Sequence, residues 1–137
     1  MNYDTNNIFA RILRGELPCT KVYEDDNVLA FMDIMPQADG HTLIIPKEPA
    51  RTLMELSDSA AEHLITKVKM IAKAVETAMQ SDGITVFQLN GAAVGQTVDH
   101  IHFHVLPASI LKASPHATVS GQLEHLEKIA DRIKSVL

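Results

Sequence analysis

Three histidines at alternate positions, His100, His102 and His104, are the residues of this chain best equipped for chemistry. Imidazole titrates near neutral pH, so one side chain can attack, leave and relay a proton under a single condition. Ile101, Phe103 and Val105 stand between and after them, followed by Leu106 and Pro107. Strict alternation predicts a half-buried strand, with the imidazoles on one face and the apolar side chains on the other. Pro107 has no ladder donor and marks the strand's end. The spacing admits three readings. A merely polar outer face is one, and three aligned imidazoles argue against it. A metal site is another, because His-x-His is a common ligand pair. Neighbouring histidines on a strand lie ~6.6 Å apart and the outer two ~13 Å, so a third ligand would come from elsewhere, with His41 the best candidate. The third reading is catalysis, with the middle imidazole as nucleophile or general base and its neighbours orienting it.

The catalytic reading gains weight from the preceding stretch, Asn90 to Asp99. Gly91 and Gly95 let backbone N–H groups approach an oxyanion, and Gln96 and Thr97 are further donors. Such a loop beside a row of histidines suits a bound phosphate. An ordinary connection between strands is the plain alternative.

These residues need a scaffold. The chain has 137 residues, enough for one core, with 46% apolar residues and a formal charge of −5. That balance argues against a broad nucleic-acid surface but not against a small anion held by local donors. The start is polar, without the pattern of a targeting signal, and no apolar run approaches the ~20 residues that span a bilayer. The single cysteine, Cys19, excludes an internal disulfide. A cytoplasmic protein without nucleic-acid or membrane partners is expected.

Ile8 to Leu13 reads as a short helix stopped by Gly15, and Lys21 to Glu24 as a first strand. After a turn at Asp25-Asp26-Asn27 comes a second, Val28 to Ile34, closed by a carboxylate at Asp33. His41 opens a third strand that ends at Pro46. Ser59 and Glu62 form a capping box for a long helix that ends by Asp82-Gly83. Ile84 to Asn90 is a fourth strand and the histidine strand a fifth, the two joined at one sheet edge. Residues 108–119 read as loop, and Gly121 to Leu137 as an amphipathic helix that packs on the sheet or on a second subunit.

The run Gly95 to Leu106 resembles the mark of the histidine-triad (HIT) family, His-x-His-x-His preceded by Gly-Gln-Thr-Val. Ile8-Phe9-Ala10-Arg11-Ile12, Gly15-Glu16-Leu17-Pro18, Val22-Tyr23-Glu24-Asp25 and Ile45-Pro46-Lys47 look like its nucleoside phosphoramidase branch, the HINT type. The resemblance implies an α+β HIT-like fold. This has about five antiparallel strands, a long central helix and short N-terminal and C-terminal helices. One domain would span residues 1–137, with a core at 8–107 and a helical extension at 120–137. It implies hydrolysis or transfer at the α-phosphate of purine nucleotide conjugates through a nucleotidyl intermediate on His102. Spacing alone does not choose the middle histidine. His100 and His104 would orient it and contact phosphate, and His41 would support it. Asp33 would hold the ribose hydroxyls, with Phe31 and Ile34 flanking the base. Asn90, Gly95, Gln96 and Thr97 would surround the phosphate. A homodimer is implied, with no cofactor.

Two departures stand out. Some bacterial relatives bind zinc through Cys-x-x-Cys where this chain has Asn7 and Ala10, so no metal is expected. The tail after Pro107 lacks a tryptophan that certain relatives carry, which bears on the leaving group. Dinucleoside polyphosphate hydrolysis and a non-catalytic nucleotide-binding regulatory module are the competing expectations.

Overall fold

The computed structural model describes residues 2–113 and 120–137. Helix α1 (Ile8–Leu13) is followed by strands β1 (Lys21–Glu24), β2 (Val28–Met32) and β3 (Thr42–Pro46). The long helix α2 (Asp58–Met79) precedes β4 (Thr85–Gln88) and β5 (Phe103–Leu106), and α3 (Leu123–Lys134) ends the order. The strands form one antiparallel sheet in the order β1-β2-β3-β5-β4. This is the α+β arrangement expected. Among the described residues no helix is long and apolar enough to cross a membrane.

Both faces of the sheet are covered, which explains the unbroken apolar run of β2: all five of its residues are buried. Val28, Ala30 and Met32 join Ile44, Ile101 and Val105 against Leu64, Val68, Ile71 and Val75 of α2 and Leu126, Ile129 and Ile133 of α3. Leu29 and Phe31 point the other way and pack with Leu43, Ile45 and Phe9 of α1. The period-two alternation thus assigns each residue to one of two cores.

The fourth and fifth strands are neighbours at one edge of the sheet, with β4 outermost and β5 paired to β3 on its other side. Several boundaries differ from expectation. The ladder of β5 begins at Phe103, so His100 and His102 precede it. Ser57, not Ser59, caps α2: its Oγ accepts from the Ala60 N–H at 3.2 Å and itself donates to Glu48 at 2.8 Å. The helix ends on Gln80 in the left-handed region (φ 50°), not at Gly83. Its N–H bonds back to the Glu76 and Thr77 carbonyls, so hydrogen bonding outweighs the steric preference for glycine there. The strands expected to reach Ile34, His41 and Asn90 stop at Met32, start at Thr42 and stop at Gln88. The C-terminal helix packs against α2 and β1. Of the loop expected at 108–119, residues 114–119 lie outside the described residues.

Gly40 sets the approach to β3. It has φ +91°, and a Cβ there would lie 2.9 Å from both Met79 Cγ and Pro107 Cγ. Gly40→Ala is expected to lower unfolding free energy by about 2 kcal/mol or more through strain and overpacking. Urea denaturation checks this. Gly83→Ala, with nothing within 4 Å, should stay within about 0.5 kcal/mol of the parent.

Candidate active site

The register of β5 fixes the site. His104 lies opposite Leu43 on β3 and Phe87 on β4, so all three share the α1 face. The Phe87 ring stacks on the imidazole, with centroids 4.1 Å apart and planes 7° from parallel. His102 lies nearer α1, its ring edge-on to Phe9 at 5.0 Å and 4.9 Å from the His104 ring. Both line a cavity of about 440 Å³, a size suited to a small organic ligand. Ile8, Phe9 and Ile12 of α1, Leu17, Pro18 and Cys19 of the following turn, and Phe31 and Ile34 form an apolar slot in it. Asp33, Thr97 and the two histidines supply polar side chains.

The protons on the imidazoles follow from backbone groups whose roles are fixed. His102 Nδ1 lies 2.7 Å from the His100 carbonyl oxygen. A carbonyl only accepts, so Nδ1 carries a proton, and in the neutral ring the lone pair is on Nε2. The Gln37 backbone N–H donates to His41 Nδ1 at 3.0 Å. The neutral His41 ring then holds its proton on Nε2, which lies 2.9 Å from His104 Nδ1. His104 in turn is protonated on Nε2. Asp33 Oδ2 is 3.5 Å from His41 Nε2, and Asp33 Oδ1 accepts from the Met35 N–H at 2.8 Å. One imidazole therefore offers the cavity a lone pair and the next an N–H.

Donor atoms of Asp33, His41 and His104 lie within 4.8 Å of one another, close enough for one metal ion. The hydrogen bonding opposes that use. With Nδ1 of His41 accepting a backbone N–H, a metal on Nε2 would require an imidazolate.

His100 is elsewhere. It is fully buried, does not line the cavity, and donates from Nε2 to the Pro46 carbonyl at 2.8 Å. The expectation that it contacts a phosphate is thus corrected: its side chain is behind the reacting face. His41 is paired with His104.

The loop before the triad is also committed inward. Gln96 accepts from the Gly91 N–H and donates to the carbonyls of Arg51 and Val98, at 2.7, 2.7 and 2.9 Å. Both amide protons are used, so the expected donation from Gln96 to a phosphate is replaced by bracing of the loop. The Gly95 N–H donates to the Ala92 carbonyl, and Asn90 accepts from the Leu53 N–H while pairing with the Gln88 amide. Of that loop, Thr97 and Val98 line the cavity. Phe31, Asp33 and Ile34 line the same cavity.

Sequence reasoning missed the α1 wall. Ile8, Phe9 and Ile12 fell into the helix's apolar stripe and read as core, although Ile8 is 46% exposed. It also missed Phe87 and the Gly121 N–H, which donates to the Ile34 carbonyl at 2.6 Å and ties the lead-in of α3 to the cavity rim.

This fold, with two triad imidazoles on an apolar cavity, defines a HIT domain, and residues 14–110 match the HIT domain model. The chain belongs to the HIT family. A crystal structure of a "Hit-like protein involved in cell-cycle regulation" from Bartonella henselae, holding an unknown ligand, superposes with a TM-score of 0.93 at 48% identity over 100% of both chains. The adenosine 5'-monophosphoramidase hnt1 of Schizosaccharomyces pombe is 42% identical over 100 residues, 73% of this chain and 72% of that protein. Adenylylsulfatase HINT3 of Arabidopsis thaliana is 43% identical over 73% of this chain, which spans only 51% of that longer protein.

Burial holds His100 below the usual imidazole range, the Pro46 carbonyl pulling less strongly the other way. The folded ring stays neutral where the unfolded one, titrating near ~6.5, gains a proton. The unfolded state then binds more protons, so stability is unaffected well above that value and falls as pH drops through it. Urea midpoints at about pH 5.5 and about pH 7.5 should therefore differ less in His100→Gln than in the parent.

Proposed function

We propose that this chain is a nucleotide hydrolase that cleaves purine nucleoside phosphoramidates at the α-phosphorus through a nucleotidyl intermediate on His102. The observation that carries this reading is the bond from His102 Nδ1–H to the His100 carbonyl. It leaves the Nε2 lone pair on a ring that lines the cavity. In the first step Nε2 attacks phosphorus and the amine departs. The resulting imidazolium keeps its Nδ1 proton on a carbonyl oxygen, which stabilises the positive charge. In the second step water attacks phosphorus, the phosphorus–nitrogen bond breaks, and the mononucleotide leaves. His104 Nε2–H and the Thr97 hydroxyl donate to phosphoryl oxygens or to the departing nitrogen. His41 acts through His104, holding it in the donor tautomer.

The slot between α1 and β2 suits a purine, with Phe9, Phe31, Ile8 and Ile34 as its apolar walls. The Asp33 carboxylate at the slot has the acceptor capacity for a ribose diol. Among the described residues, the cavity lining includes no lysine or arginine. A phosphoramidate with one negative charge fits a site without cationic side chains better than a polyphosphate chain, which calls for cationic partners. The names adenosine 5'-monophosphoramidase and adenylylsulfatase, borne by relatives, support the same substrate class. We read the protein as a homodimer as well, because β4 is the outer strand and its Val86 is 44% exposed. Sedimentation velocity is expected to give twice the chain mass, and a monomer at micromolar concentration rejects that part.

The main test is a panel of adenosine and guanosine phosphoramidates, adenylyl sulfate and dinucleoside polyphosphates, compared by kcat/KM. The phosphoramidates should be the best substrates. His102→Ala should lower kcat by at least about a thousandfold, as loss of a nucleophile does elsewhere. Survival of turnover in that variant rejects the intermediate. A preference for polyphosphates rejects the substrate class. Binding of nucleotide without any turnover supports a regulatory module instead.

A further inference from the structure

Tyr3 lies outside every motif discussed above, yet its hydroxyl reaches the triad. It is 2.5 Å from His100 Nδ1, across 97 residues of sequence, and its ring meets the imidazole edge-on at 5.6 Å. The direction of this bond is determined. His100 Nε2 faces the Pro46 carbonyl at 2.8 Å and must donate to it, so Nδ1 is the acceptor and Tyr3 the donor. His100 has no exposed surface and does not line the cavity. What it brings to the site is its own carbonyl, which accepts the His102 Nδ1–H at 2.7 Å. The peptide bearing that carbonyl is held on its other side by the Ile101 N–H, which donates to the Ala50 carbonyl at 2.9 Å.

We propose that Tyr3 is a positioning residue: it locks the His100 ring so that the His100 carbonyl keeps the proton of His102 on Nδ1 and Nε2 stays nucleophilic. The proposal rests on the reading of His102 as nucleophile. Without the hydroxyl, a buried imidazole would carry a bare lone pair, and it would admit water, turn over or change tautomer. Each of those moves displaces the residue whose carbonyl sets His102. The anchor comes from the segment before α1, whose next turn carries Phe9, edge-on to both His100 and His102 at 6.5 and 5.0 Å. The N-terminal segment thus grips the back of the triad while α1 walls its front.

The test compares Tyr3→Phe, which keeps the ring and removes the hydroxyl, with Tyr3→Leu, which removes both. Two quantities are read: long-range ¹H–¹⁵N spectra of the histidine rings, and kcat and KM for an adenosine phosphoramidate. In the parent, His100 should show the Nε2–H tautomer and His102 the Nδ1–H tautomer. In Tyr3→Phe the His102 pattern should become mixed. Its kcat should fall roughly tenfold or more, as on removing an outer-shell partner elsewhere, with KM within about twofold. Tyr3→Leu should be at least as impaired. A Tyr3→Phe protein with parental kcat and parental ring spectra overturns the proposal, even if its melting temperature drops. In an active enzyme, a change in only one of the two readouts overturns it too. If the parent itself turns over no nucleotide conjugate, the functional reading fails, and the ring spectra alone decide whether Tyr3 sets the His102 tautomer.

Discussion

A buried imidazole keeps its lone pair available only while a neighbour holds the ring proton on the opposite nitrogen. In this protein the neighbour is a main-chain oxygen, that of His100, on the ring of His102. That oxygen is free because the sheet has let go of it. The β3–β5 pairing runs from Thr42 opposite Val105 to Ile44 opposite Phe103. Extended by the same register, it would set Pro46 against Ile101. Proline has no N–H to give, so the ladder cannot continue there. The Ile101 N–H turns to Ala50 instead, and the Pro46 carbonyl takes the His100 ring. The break in regular structure is thus what creates the acceptor on which the proposed nucleophile depends.

The same economy governs His104. It remains within the ladder, between Leu43 and Phe87 on one face. Its position is set by backbone pairing and its plane by stacking on Phe87. Its tautomer is set by His41, itself set by the Gln37 N–H. Two imidazoles two residues apart acquire opposite proton arrangements because one lies inside the ladder and the other just outside it. A uniform strand through all three histidines would have given them similar environments.

Much of this was legible in the residues. Alternation placed Ile101, Phe103 and Val105 toward the main core and predicted the helices α1 and α3 and the strand β1 within a few residues. The family resemblance pointed to Phe31, Asp33 and Ile34, which line one cavity. What escaped was set by contacts distant in sequence. Ser57 outcompeted Ser59 as a cap because Glu48 binds it, and nothing local announces that. Gln96 read as an available donor, but its acceptors are carbonyls at Arg51 and Val98. The Ile8-Phe9-Ile12 stripe has the spacing of a packing face, and periodicity does not distinguish a face that packs on protein from one that also walls a cavity. Tyr3 carried no signal at all, since its partner lies 97 residues away.

Charge is the remaining constraint on what the cavity accepts. Among the described residues, the polar side chains lining it are one carboxylate, one hydroxyl and two imidazoles. In the proton arrangement of the neutral rings, His102 presents a lone pair and His104 an N–H, and among the described residues no lysine or arginine lines the cavity beside them. A polyanion entering such a site would lose hydration without gaining a counter-charge, an expensive exchange in a half-enclosed apolar slot. A single phosphoryl group loses less and recovers part of it from N–H and O–H donors. In the proposed reaction, a phosphoryl group bonded to His102 would carry its cation with it, because the imidazolium would stand next to the phosphoryl oxygens it must balance. On that reading the site would match the proposed intermediate better than the bound substrate, and such a difference is what lowers a barrier.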